Sequence, residues 1–364
     1  MQVEHIIAQF AIPGELESIK TNKEGHINNT FISTFIHDGI HTKYTHQRLN
    51  RTVFTQPESV MENILLITKH LQDKVSNLEE AERRTLSLVP TKEGAWWTYD
   101  QDGELWRTYR FIDGVKTYPF LNDHGLAHRF GVAVGTFQTL LSDFDGSTLF
   151  ETISNFHHMG FRYRRFEEII LQDPYSRFSM VGDEVRFFRE NKARAMIITE
   201  ALEHGEIPLR VTHNDTKINN VLFDDSTGEG ICMIDLDTVM GGTILFDTGD
   251  MIRTGCSTAA EDEQDLSLVR FDVNLYKNLI EGYRSIADSF LTDRERLLLA
   301  ESGRAITLIM GLRMLTDYLA GDMYYQTMYD NHNLVRARTQ IRLIQEMDSV
   351  WDNLLPSCRK SSES

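Results

Sequence analysis

The chain has 364 residues, 41% of them hydrophobic, which is enough for a sizeable core and suggests about two domains. Lys and Arg number 37 against 54 Asp and Glu, and the formal net charge of −17 excludes a general binder of nucleic acid, whose phosphates demand clustered cations. No apolar run approaches the roughly 18 residues that span a bilayer, and the first nine residues hold no apolar leader, so a cytoplasmic protein with no membrane partner is expected.

In chain order, residues 29–37 are rich in Thr, Ile and Phe and predict a strand. Asp38-Gly39 is a tight-turn signal, and residues 41–49 predict the returning strand. Residues 60–75 place Met61, Ile64, Leu65, Leu71 and Val75 at helical spacing. Residues 86–90, 95–99 and 105–112 predict three more strands, with Asp102-Gly103 turning between the last two. After Asp113-Gly114 the pattern becomes helical, through residues 126–144 and 193–204 and then nearly everything from 266 onward. The fold class expected is therefore α+β, a bilobal protein-kinase-like fold. A small antiparallel-sheet lobe would cover residues 1–112 and a large, mostly helical lobe residues 113–364. No heptad seam appears, so a monomer is expected. Cys232, Cys256 and Cys358 have no metal-ligand spacing and predict reduced thiols.

The chemistry concentrates at residues 213–237. His213-Asn-Asp215-Thr-Lys217-Ile-Asn-Asn220 has the spacing H-x-D-x-K-x-x-N of a kinase-type catalytic loop. A strand–turn–strand pattern over residues 221–234 then leads to Asp235 and Asp237. Phosphoryl transfer needs such a convergence, because the transferring group is anionic and the acceptor must be held in line. Asp215 is expected to orient or deprotonate an acceptor hydroxyl, Lys217 to reach the γ-phosphate, and His213 to brace the loop. Mg²⁺ takes oxygen ligands, for which Asn220 and Asp235 are the candidates. Asp237 could hold a second metal or only cap a turn. The run Phe246–Asp250 reads as a turn opening a helix, with Asp247 bracing the catalytic loop.

The motif at 213–220 and the Ile234-Asp235 pair resemble the aminoglycoside phosphotransferase and choline kinase superfamily. Gly25-His26-Ile27-Asn28, residues 207–220, Ser257–Glu263 and residues 321–341 are together similar to the N-acetylhexosamine 1-kinases, over nearly the whole chain. The resemblance implies an ATP- and Mg²⁺-dependent kinase acting on the anomeric hydroxyl of N-acetylglucosamine or N-acetylgalactosamine, a small-molecule sugar acceptor. It implies Asp215 as the base and sugar contacts from His26, Asp215, Arg313 and Tyr324. Without the resemblance, Arg313 reads equally well as half of a buried structural ion pair. A kinase of the same fold with another acceptor, such as another hexose, choline, homoserine or an aminoglycoside, is the alternative.

The sequence departs from the wider kinase pattern in two places. The nucleotide loop near residues 23–29 has only Gly25. The strand that usually offers a phosphate-pairing Lys has Gln47 at that place with Arg48 beside it, and alternation lets only one of them face the nucleotide. Adenine is expected against the hinge backbone near Arg110 and Ile112.

Overall fold

The computed structural model describes residues 2–22 and 28–358. Gly25 and His26 lie outside them. The elements in chain order are α1 (Gln2–Ile7), β1 (Glu15–Asn22), β2 (Asn29–His37), β3 (Ile40–Arg48), α2 (Pro57–Val75), β4 (Thr98–Tyr99), β5 (Leu105–Arg110), β6 (Val115–Lys116), α3 (His124–Leu140), α4 (Met159–Gln172), α5 (Gly182–Glu190) and α6 (Lys192–Glu203). They continue with β7 (Arg210–Thr212), β8 (Val221–Asp224), β9 (Gly230–Met233), β10 (Met240–Gly242), α7 (Ile244–Gly255), α8 (Val273–Ala287), α9 (Asp293–Leu297), α10 (Leu299–Leu319) and α11 (His332–Ser349). This is the expected α+β class, with an antiparallel sheet first and helices after.

The chain forms two compact units. The first comprises Met1–Lys116, Thr148–Ser154 and Leu222–Met240, and the second the remainder. A single cut near residue 112 does not separate them, because the β8–β9 hairpin belongs with the sheet-rich unit.

In the first unit five antiparallel strands run in the order β1-β2-β3-β5-β4. Asp38 and Gly39 both have positive φ (50° and 76°), the backbone twist a two-residue hairpin needs. One face packs Ile6, Phe10 and Trp106, and Ile7, Phe35 and Tyr44. The strand expected at 86–90 is an irregular segment instead. It bridges β5 through Val89 N–H to Thr108 (2.8 Å) and Arg110 N–H to Ser87 (2.8 Å), and Pro90, which has no N–H, stops the ladder. A second small sheet, β6-β8-β9, pins the hairpin. Arg83 clamps it, with Nη2 2.8 Å from Asp224 and donating to the carbonyls of Asp113 and Gly114.

In the second unit α10 is buried almost all round and is flanked by α4, α6, α7 and α11. Within the stretch expected to be helical from residue 266 onward, the helix breaks at Leu298 into α9 and α10, and α9 opens with a Thr292/Glu295 capping box. The turn expected at 246–250 is helix: α7 begins at Ile244, capped by Thr243. Gly249 serves close packing there, since a Cβ on it would strike the Ser302 carbonyl.

Helices α3 and α8 also approach through glycine. A Cβ on Gly131 would strike the Leu279 carbonyl oxygen, and one on Gly282 the His128 carbonyl oxygen. Gly282→Ala is therefore expected to cost about 1–3 kcal/mol through overpacking. Urea denaturation would read this as a lower midpoint at unchanged slope; an unchanged midpoint would contradict the packing account.

Candidate active site

The loop after β7 carries the motif. Its backbone is held from behind by Asp247 on α7, whose carboxylate accepts from the N–H groups of His213 (3.0 Å) and Asn214 (2.7 Å). Gln138 Nε2 donates to the same carboxylate (3.1 Å), and Gln138 in turn accepts from the Tyr283 hydroxyl (2.6 Å). Thr216 Oγ1 donates to the Asp247 carbonyl. The expected bracing role of Asp247 is thus visible as hydrogen bonds. Burial pushes its carboxyl up, although His213 and the two backbone donors oppose this. Asn214 sits at φ 66°, a left-handed conformation Asn tolerates better than most residues.

His213 is fully buried, its ring edge-on to Phe137, and its Nδ1 accepts from the Asp215 N–H (3.3 Å). The ring orients the loop. Lys217 Nζ lies 2.7 Å from Asp215 Oδ1, and Asn220 Nδ2 donates to Asp215 Oδ2 (3.0 Å) and to its carbonyl (2.9 Å). Two acceptors on Nδ2 fix the amide's orientation, so Asn220 Oδ1 remains as the oxygen a hard cation would take. Burial alone would raise the Asp215 carboxyl. Lys217, His213 and Asn220 outweigh it and hold that carboxyl below the ordinary carboxylate range. Asp215 in turn raises Lys217, and Asp250 and Glu261 add to the effect.

Arg313, on α10, is 8% exposed. No carboxylate pairs with it among the described residues. Its guanidinium lies 4.7 Å from the Phe156 ring and 5.6 Å from each of the Tyr324 and Tyr325 rings, and Nη2 is 3.4 Å from the Tyr324 hydroxyl. Arg162 joins it: Nε and Nη2 both donate to the Phe156 carbonyl (3.2 and 2.8 Å). Burial and the neighbouring Arg313 push Arg162 down to about 10. His157 is pushed down to about 3, by burial first and Arg313 second, so it is neutral. Its Nδ1 and the Tyr325 hydroxyl are buried without a hydrogen-bond partner. Such orphans cost free energy, and a ligand with donors and acceptors would relieve it.

The turn that presents Tyr324 and Tyr325 is fixed by one carboxylate. Asp317 accepts from the N–H groups of Met323, Tyr324 and Tyr325 (3.0, 2.8 and 2.9 Å) and from Asn333 Nδ2 (2.9 Å). The family resemblance pointed to Arg313 and Tyr324, which lie together here; Phe156, His157, Arg162 and Asp317 beside them had no role in the sequence reading. No spacing rule marks these residues, because each has its place only through contacts outside its own segment.

In the first unit Gln47 and Arg48 point to opposite faces. Arg48 is paired with Asp100 (3.3 Å). Gln47 Oε1 accepts from Arg107 Nε and Nη2 (3.0 and 2.8 Å). Arg107 Nη1 lies 2.5 Å from Asp237 Oδ1, and Asn28 donates to Asp237 Oδ2 (2.6 Å). Asp237 therefore has a buried cation and an amide on its two oxygens, which makes it a counter-ion and a poor fit to a metal. Asp235 is half-buried at φ 62°, ψ 57°. A non-glycine residue held there costs about 1 kcal/mol or more, a strain that clusters at functional sites. The N–H of Arg110 is committed to Ser87, and Ile112 is buried. Among the described residues no cluster of three or more His, Cys, Asp or Glu side chains could hold a metal, so any metal site here needs Asn220-type oxygens and ligand phosphates as well. The three cysteines are buried free thiols, as expected.

Residues 73–287 match the profile of the APH family, described as the phosphotransferase enzyme family. The chain belongs to this phosphotransferase family. Among solved structures it is similar to a microcompartment-associated aminopropanol kinase (TM-score 0.64, 13% identity, 97% of this chain and 98% of that one). It is also similar to an aminoglycoside phosphotransferase from Alicyclobacillus acidocaldarius (0.62, 11%, 98% and 95%) and a choline/ethanolamine kinase family protein from Mesorhizobium loti (0.57, 15%, 99% and 99%). At these identities the likeness is one of fold. Two cavities of about 640 and 950 Å³ lie in the second unit, and neither is lined by Asp215, Arg313 or Tyr324. No helix among the described residues is long and apolar enough to cross a membrane.

Because Lys217 is the main force lowering the Asp215 carboxyl, Lys217→Met is expected to move it upward. Carboxyl ¹³C NMR titration would show this, and an unmoved titration would contradict it. The sign for stability follows. A depressed carboxyl stabilises the fold above its unfolded value, and that stabilisation is lost as pH falls through the folded one; in the Lys217→Met variant it is smaller and its loss is complete at a higher pH.

Proposed function

We propose that this phosphotransferase is an ATP- and Mg²⁺-dependent kinase that phosphorylates the anomeric hydroxyl of N-acetylhexosamines, giving the sugar 1-phosphate. One observation carries the choice of acceptor: the buried Arg313 guanidinium has aromatic neighbours and a second guanidinium nearby, with no carboxylate on it. A structural ion pair, the plain alternative for Arg313, lacks a partner among the described residues. The acceptors for which the similar structures are named, aminopropanol, choline or ethanolamine and aminoglycosides, carry amino or ammonium groups. An ammonium held about 5 Å from one guanidinium would be repelled by about 3 kcal/mol at an effective dielectric constant of about 20. An acetamido sugar is neutral. It can place hydroxyls on Arg313, His157 Nδ1 and the Tyr325 hydroxyl, and a pyranose face on Tyr324.

In this reading Asp215 accepts the proton of the C1 hydroxyl as that oxygen bonds the γ-phosphorus and ADP leaves. The depressed carboxyl keeps Asp215 ionised for this across the physiological range. Lys217, already on Asp215, is shared with the transferring phosphoryl group. Asn220 and Asp235 are the residues that would offer oxygens to Mg²⁺, which would neutralise charge on the phosphates when bound. His26 joins the sugar contacts and Gly25 the phosphate loop on the strength of the family resemblance.

An acceptor panel read as ADP release tests the reading. N-acetylglucosamine or N-acetylgalactosamine should support turnover, with glucosamine, choline and ethanolamine lower by about 100-fold in kcat/KM, the factor the repulsion above converts to. Asp215→Asn should abolish turnover and leave ATP binding intact. Amines turned over as well as the acetamido sugars, or an active Asp215→Asn, would overturn it.

A further inference from the structure

On the nucleotide-facing question, β3 and β5 carry an exchange of residues. Gln47 and Arg107 are direct antiparallel partners in the sheet. Strand β3 offers no free cation beside Gln47: Arg48 turns to Asp100 on the other face, and Lys43, farther along the same face, is paired with Asp113 (2.6 Å). The adjacent strand does: Arg107 is 1% exposed and points to the face that Gln47 shares.

The side chains are matched. Gln47 Nε2 donates to Thr30 Oγ1 (3.3 Å), which directs Oε1 toward Arg107, where it takes two of the guanidinium's five N–H groups. Asp237 Oδ1 lies 2.5 Å from Nη1 as an ion pair outside hydrogen-bond geometry. Of the three N–H groups that remain, those on Nη1 have only the Met61 sulfur as acceptor (3.9 Å), and the second on Nη2 has none among the described residues. A lysine at position 47 would remove this acceptor and set a second cation against the first. Beside Arg107 on the same strand face, the Tyr109 hydroxyl is buried without a partner among the described residues, its ring 5.2 Å from the guanidinium. A buried cation with spare N–H groups next to a buried unpaired hydroxyl is arranged for an anion with several oxygens.

We propose that Arg107, oriented by Gln47, is the cation that contacts the phosphates of the nucleotide, moved one strand over from the position that Gln47 leaves neutral. The proposal rests on the reading of the protein as an ATP-dependent kinase.

Calorimetric titration with ATP and with adenosine, needing no acceptor and no turnover, tests it. Arg107→Lys keeps the charge and loses the planar fork; Gln47→Met removes the orienting acceptor and leaves the Arg107–Asp237 pair, so it guards against a variant that fails to fold. Thermal melting checks each protein. In folded variants ATP affinity should fall by about tenfold, the scale of a lost charge-assisted contact, with adenosine affinity within about twofold of wild type. The double variant Gln47→Lys with Arg107→Gln should regain part of the ATP affinity lost by Arg107→Gln alone. Unchanged ATP affinity, or parallel losses for ATP and adenosine, would overturn the proposal and leave Arg107 as structure. A wild-type protein that binds adenosine and not ATP would also overturn it, and one that binds neither would overturn the kinase reading beneath it.

Discussion

The motif loop at residues 213–220 depends on one buried carboxylate. Asp247 holds two consecutive backbone N–H groups, at His213 and Asn214, and so fixes where Asp215 leaves the backbone. Its own position is set by Gln138 from α3, which is tied to Tyr283 of α8. Those two helices approach each other through Gly131 and Gly282. Close helix packing, a buried polar relay and the geometry of a functional loop are therefore one connected piece of structure within the second unit. A buried ionisable group is tolerated there because each of its oxygens has a donor.

The distribution of charge says more about the ligand than the net charge does. The chain is acidic overall, which by itself would suit a cationic acceptor. Locally the pattern is reversed. Arg313 lies close enough to Arg162 to disfavour the charge on Arg162, and the aromatic rings around Arg313 supply no counter-ion. Burying a guanidinium in that way is costly unless a ligand or the ring faces compensate. Arg107 makes the contrast, since it has Asp237 and Gln47 and is still not saturated.

Much of this was legible in the sequence. The hairpin at 29–48 was marked by β-branched residues and Asp-Gly, and the candidate site loop at 213–220 by four residue types at fixed spacing. These are local signals. The missed parts are non-local. Strand β1 has little hydrophobic alternation, and α4 mixes arginines into its apolar stripe, so neither stood out. The turn expected at 246–250 became helix because its glycine serves contact with α10, a fact stored in the partner helix. The role of Asp237 depended on Arg107, 130 positions away, and could not be read from the Asp-Leu-Asp run. Likewise His157, Arg162 and Asp317 have meaning only through what they touch.

The central claim is that the acceptor is the anomeric hydroxyl of an acetamido sugar. The most direct measurement is ³¹P NMR of the product formed from ATP and N-acetylglucosamine or N-acetylgalactosamine. A phosphorus signal coupled to the anomeric proton, growing as ATP is consumed, is the predicted result. A phosphate on any other carbon, or no phosphorylated sugar from an enzyme that readily phosphorylates a different class of acceptor, would contradict it.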